Sequence, residues 1–211
     1  MRKLKYAEET TTFYKDFRDE VQGYFMRNNI DRFATKSFLR KILILFTLYV
    51  VGYAAILMTS NIYLLVLEYA VLGLIGVLLG LNIGHDAIHD VIFKKKKANK
   101  VLCWIFEVVG TSCYNWKNRH LGAHHLFPNV MDYDSDIQQS KVVKIFPKDE
   151  HRSMHKFQYL YMPIVYLIYL LRWVLYRDFK DLFSKNLGVY DNSKYPVLEI
   201  VKMVFFKVLY L

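Results

Sequence analysis

Long uncharged runs alternate with charged stretches along this chain, and the alternation sets out its elements. From Ile42 to Thr59 no residue carries a charge, and 18 residues at about 1.5 Å each make about 27 Å of helix, close to the hydrocarbon thickness of a bilayer. Ser60 and Asn61 leave room only for a tight turn. Ile62 to Ile83 then forms a second span, broken only by Glu68, which stands at a membrane boundary or is buried with a partner. Gln158 to Tyr176 is a third apolar segment, with Arg172 near enough to one end to snorkel and Pro163 tolerable inside a membrane helix. A fourth begins at Val197 and runs to Leu211, interrupted by Glu199, Lys202 and Lys207. Val101 to Gly110 is apolar apart from Glu107 but too short to cross, so it lies on the surface or packs beneath its polar surroundings. The pattern predicts an all-α, polytopic helical membrane protein in one domain.

Charge orients the spans. Residues 1 to 41 carry ten Lys/Arg against six Asp/Glu and read as a cytoplasmic lead-in, either amphipathic or merely solvated, with Asp31 capping a short helix that leads into Phe38. A hairpin of two spans returns the chain to its starting side. Residues 84 to 157 therefore share a compartment with the lead-in, and the twelve Lys/Arg between Asn82 and Phe157 make that side the cytoplasm.

The net charge of +10 does not point to nucleic acid, because the basic residues flank apolar spans instead of forming a patch among stacking aromatics. A membrane surface accounts for them, the run Lys94 to Lys97 facing lipid headgroups. Cys103 and Cys113 are the only cysteines and read as small apolar residues in a reducing compartment. Residues 1 to 41 show no cleavable signal, so the first span does the targeting.

Five of the seven histidines fall between His85 and His125, in GHDAIHD and RHLGAHHLFPN. His85 and His89 are four apart, as are His120 and His124, so each pair shares one face of a helix. His125 adds a ring about 100° further round, within reach of a second ion. Imidazole suits zinc, copper, iron and nickel alike, but five rings from two segments exceed what one tetrahedral ion uses. Two adjacent ions become the economical reading. A redox-active pair beside acyl chains suits O₂ chemistry at an inert C–H bond.

These residues resemble the membrane fatty acid desaturases, and within them the linoleoyl-CoA, front-end group. NIGHDAIH resembles the first histidine box of that family, and WKNRHLGAHHLFPN followed by DYDSDI resembles the second. The likeness is close from Asn82 to Ile137 and looser to Trp173. It implies a non-haem di-iron enzyme that takes electrons from a cytochrome b5 or ferredoxin type donor and uses O₂ to insert a cis double bond into an acyl-CoA or acyl-lipid chain in the bilayer. His85, His89, His120, His124 and His125 match its iron ligands. Asp86, Asn129, Asp134 and Asp136 match recurrent residues around the boxes, where they orient ligand rings or serve as ordinary caps and loop bonds. His151 and His155 repeat the spacing, but their segment resembles one that enters the third span, and His155 reads as a structural residue at the interface.

The family carries a third box, of the form Q/HxxHH, beyond its fourth span; these 211 residues end before one, and no HPGG-like haem motif appears near the N-terminus. A partial ligand set, inactive alone, is the resulting expectation. A di-iron hydroxylase and a metal-binding or transporting membrane protein without oxidative chemistry are the alternatives.

Overall fold

The computed structural model describes residues 12–137 and 141–210; the expected lead-in before residue 12 lies outside them. Helix α1, Phe13–Arg27, sets Phe13, Phe17, Val21 and Tyr24 along one face at helical spacing, all of them exposed. The next helix is capped by a residue other than the one expected. α2, Lys36–Met58, starts at Thr35, whose hydroxyl accepts from the Phe38 amide at 3.2 Å. Asp31 instead accepts from the Phe33 amide and pairs with Lys94 at 2.7 Å, which with the two amides of that turn holds its carboxyl below the ordinary range.

Asn61 closes the hairpin by accepting from the amides of Tyr63 and Leu64 at the start of α3, Ile62–Leu79, which packs along α2. Glu68, partly buried, accepts across this turn from the Thr59 hydroxyl at 3.0 Å. α3 does not end at Ile83. It continues through a π-helical turn, Gly80–Gly84, into α4, His85–Ile88, as one apolar rod of 27 residues, about 40 Å long. That exceeds the about 30 Å of hydrocarbon by roughly two turns, so the His85 end can stand clear of the acyl chains while Ile62 stays at the far boundary.

Short helices follow: α5, Lys96–Leu102, α6, Trp104–Val108, and α7, Cys113–Arg119, which runs into a second π turn at His120–His124. A 3₁₀ turn at Ser153–Phe157 leads through α8, Gln158–Arg172, and a third π turn, Trp173–Arg177, into α9, Asp178–Phe183. A two-stranded antiparallel ribbon, β1 (Asn186–Leu187) with β2 (Tyr190–Asp191), precedes α10, Val197–Tyr210.

Among the described residues, three helical stretches are long and apolar enough to cross a membrane: Lys36–Met58, Ile62–Ile88 and Ser153–Phe183. Their apolar side chains are largely uncovered; Leu43, Leu57 and Leu167 are 68%, 71% and 78% exposed. In water such continuous apolar surface would drive association, whereas lipid tails solvate it. The buried core sits at one end of the hairpin instead. Ile75, Leu79, Ile83 and Ala87 form a stripe that meets Ile105, Phe106 and Cys113, so Val101 to Gly110 packs beneath the histidines.

The charges that interrupt the fourth apolar segment turn out to be internal partners. Lys202 pairs with Glu107 at 3.2 Å and with Glu199. Lys207, 4% exposed, donates to the carbonyls of Gly110 and Val174 and to Asp178 at 2.8 Å. Burial, its largest influence, still pushes the Glu107 carboxyl above the ordinary range despite Lys202.

Candidate metal centre

All five clustered histidines meet at one place, at the His85 end of the α3–α4 rod. His85 and His89 stack one turn apart, with ring centroids 4.7 Å apart. His120 lies beside both, at 5.1 and 5.4 Å. The π turn brings in the rest: the amide of His125 donates to the carbonyl of His120 at 2.9 Å, five residues back. On an α-helix His120 and His125 would diverge by about 140°; the wider turn brings residue +5 round, and their Nε2 atoms stand 3.0 Å apart. The helical offset expected for His125 is thus replaced by convergence.

Aromatic stacking floors the cluster. Phe106 lies on Trp116 at 4.7 Å, Trp116 on His120 at 4.3 Å, and His120 on His124 at 5.4 Å. Gly84 makes room for this column, because a Cβ there would approach the Phe106 ring at 2.8 Å. Beside Ala123 of the second box, Gly188 holds φ +61°, and a Cβ there would run into the Tyr133 carbonyl and Ala123.

Carboxylates back three of the rings. His85 Nδ1 lies 3.0 Å from Asp86, His124 Nδ1 lies 2.8 Å from Asp134, and His120 Nδ1 lies 3.4 Å from Asp136. Burial favours the protonated form of Asp134, but amides of Asn129 and Asp136 and the His124 ring outweigh it and hold the carboxyl below the ordinary range. Asn129 contributes its backbone N–H, from a left-handed turn at φ 62°, rather than a side-chain contact.

A carboxylate accepting Nδ1–H leaves the lone pair on Nε2. His85 Nε2 and His120 Nε2 then face each other at 3.2 Å, a contact in which facing lone pairs repel, and His125 Nε2 stands 3.0 Å from the same His120 Nε2. His89 Nε2 is shut off from solvent without a hydrogen-bond partner among the described residues. Burial first, and then His85, His125 and His120, push its ring below the ordinary imidazole range, and burial first, and then His120 and His124, push His125 the same way. A cation resolves all three features. Nitrogens about 2.1 Å from one ion are about 3.0 to 3.4 Å apart, which matches the spacing. Ligand atoms of His85, His89 and His120 form one group within 4.8 Å, and those of His120, His124 and Asp136 form another.

His155 stands outside. Its Nδ1 accepts from the Arg152 amide and its Nε2 lies 3.1 Å from the Lys141 carbonyl, so it pins a loop. Trp116 and Arg119 escaped the sequence reading. Their signal was adjacency to His120 in WKNRH, where an aromatic residue precedes it by one helical turn.

A helical membrane protein whose helix ends gather five imidazoles is, as a class, a membrane protein with a polyhistidine metal site. The chain belongs to the fatty acid desaturase family, whose model matches residues 60–206. It is 28% identical over 203 residues to an sn-1 linoleoyl-lipid 6-desaturase of Synechocystis sp., covering 94% of this chain and 56% of that protein. It is 28% identical over 211 residues to acyl-lipid (8-3)-desaturase B of Dictyostelium discoideum, covering 98% and 45%. An acyl-lipid (7-3)-desaturase of Rebecca salina shares 36% identity over 92 residues, covering 44% and 21%. The chain spans about half the length of the first two relatives. No solved structure matches it.

Proposed function

We propose that this chain carries two histidine boxes of a non-haem di-iron fatty acid desaturase, with His85, His89, His120, His124 and His125 as ligands. The convergence of the imidazoles carries the reading: His120 Nε2 stands 3.2 Å from His85 Nε2 and 3.0 Å from His125 Nε2, and His89 Nε2 is buried beside them without a hydrogen-bond partner among the described residues. Two iron ions held there would supply O₂-dependent oxidation: neighbouring acyl carbons lose two hydrogens to form a cis double bond, and O₂, with two electrons and two protons more, leaves as two waters.

The residues of the chain do the rest. Asp86, Asp134 and Asp136 accept Nδ1–H and so fix ring orientation and tautomer. Phe106 and Trp116 close the floor against water. The lipid-facing spans keep the cluster beside acyl chains, and the relatives' names favour an acyl-lipid over an acyl-CoA substrate. The lysines and arginines from Asn82 to Phe157 favour a cytoplasmic side for the boxes, and a cytochrome b5 or ferredoxin type donor would deliver single electrons there. Residues 12–41 continue as a cytoplasmic lead-in whose aromatic face on α1 rests against headgroups.

The test is expression of the entire reading frame that includes these residues, with both donor types, and mass spectrometry of fatty acid methyl esters. A new cis double bond is expected. Hydroxylated products would mean a hydroxylase. Purified chain reconstituted anaerobically is expected to hold iron, and one zinc with no iron would overturn the redox reading.

A further inference from the structure

Arg119 is 3% exposed and immediately precedes His120. Its guanidinium donates to both oxygens of Asp181 at 3.2 Å and to the carbonyl of Ser135. Ser135 answers by donating its hydroxyl to the Arg119 carbonyl at 3.2 Å. Its Nε is sealed from solvent 3.9 Å from Asp136 Oδ1, while Asp136 Oδ2 reaches His120. Ser135 is fully buried between the two aspartates that back His124 and His120, and Arg177 adds a bond to the same carbonyl at 3.3 Å. One side chain thus joins three things that are far apart in sequence: box two, the aspartate loop behind it, and the end of the third long helix.

A buried arginine is costly unless it is paired and hydrogen-bonded, and Arg119 bonds a carboxylate through one guanidinium nitrogen and a carbonyl through another, which the single nitrogen of a lysine would have to serve alone. We propose that Arg119 is a positioning residue for the second histidine box: by locking the segment Asp134–Ser135–Asp136 onto α7 and onto Asp181, it sets how His120 and His124 present their ligand nitrogens. The inference rests on the reading of the histidine cluster as a metal site. It adds a residue that touches neither the metal position nor the rings.

Cobalt(II) titration of the purified 211-residue chain in nanodiscs, followed by absorption and metal analysis, tests it beside thermal unfolding. Arg119→Lys is expected to weaken cobalt binding about tenfold and to alter the ligand-field spectrum, the scale of a lost outer-shell partner. Ser135→Ala, which keeps the guanidinium and so guards against a misfolded Arg119 variant, is expected to weaken binding about threefold, the scale of one neutral hydrogen bond. Thr59→Ala at the far tip of the hairpin is expected to lower the melting temperature without changing either cobalt readout. If Arg119→Lys and Ser135→Ala both bind cobalt as the parent does, the positioning role is wrong and the metal centre stands. If affinity falls in Thr59→Ala as it does in the other two, the effect is general destabilisation and the proposal is overturned. A parent chain that binds no cobalt, or that His120→Ala leaves unchanged, removes the metal reading and this inference together.

Discussion

The two histidine boxes arrive at one cluster by opposite means. His85 lies in, and His89 caps, a continuous helical rod of 27 residues made of α3, its π turn and α4, and among the described residues Asp86 is the carboxylate bonded to this pair. His120, His124 and His125 sit on a short helix and a π turn that could not hold a position alone. They are held by side chains: Asp134, Asp136, Arg119 and, behind these, Asp181, Arg177 and Asp178. A membrane span is rigid because every backbone group is satisfied within it. A loop outside the membrane has no such guarantee, and a buried ionic network takes its place at the cost of desolvating each charge. Box one is therefore expected to tolerate the loss of its supporting carboxylate, and box two to fail with its own.

The largest expected effect is at the residue common to both metal groupings. His120→Ala removes the ring that faces His85 and His125 and is expected to weaken divalent metal binding more than about a hundredfold, beyond the range of any outer-shell change. Membrane insertion should be unchanged in the same preparation, because the apolar spans are untouched. His124→Ala should abolish iron-dependent activity in the full reading frame, again without loss of insertion.

Asp134→Asn comes next. Its carboxylate is fully buried and takes two amides as well as His124, so metal affinity should fall about ten- to a hundredfold by titration. Asp86→Asn should cost clearly less, about threefold, since Asp86 is half-buried and the helix still orients His85; the scale is that of one hydrogen bond to an exposed partner. Equal losses at Asp134 and Asp86 would erase the contrast between the boxes.

Gly84→Ala sharpens it in the opposite direction. The new methyl would press on Phe106 and through it on Trp116 and His120, at a cost of about 1 to 3 kcal/mol in unfolding free energy, typical of overpacking. The smallest effect belongs to His155→Ala: a modest drop in stability from two lost loop bonds, and metal affinity unchanged. Weakening equal to that of His124→Ala would make the second HxxxH pair a ligand pair.

What could be read beforehand follows from which interactions are local. Apolar runs from Ile42 and Ile62 announce membrane helices because length and transfer energy suffice. The four-residue spacing of His85 and His89 announces a shared face because helix geometry alone sets it. The π turn at His120 was not legible, since an i to i−5 bond is selected by packing against Trp116 and the aspartate loop rather than by residue type. Nor was the pairing of Arg119 with Asp181, 62 positions away, or of Lys207 with Asp178. Lys202 and Lys207 looked like flaws in an apolar segment because their partners, Glu107 and Asp178, belong to other elements. Asp31 looked like a cap because its type suits the role; Thr35 stands one residue before the helix and takes it.

The central claim is that five imidazoles of this chain converge as ligands of iron. X-ray absorption at the iron edge, on the 211-residue chain loaded anaerobically with iron(II), tests that most directly. The expected spectrum shows a nitrogen-rich shell with the outer scattering of imidazole rings, and His120→Ala loses a measurable part of it. An oxygen-only shell, the same in the parent and in His120→Ala, would contradict the account.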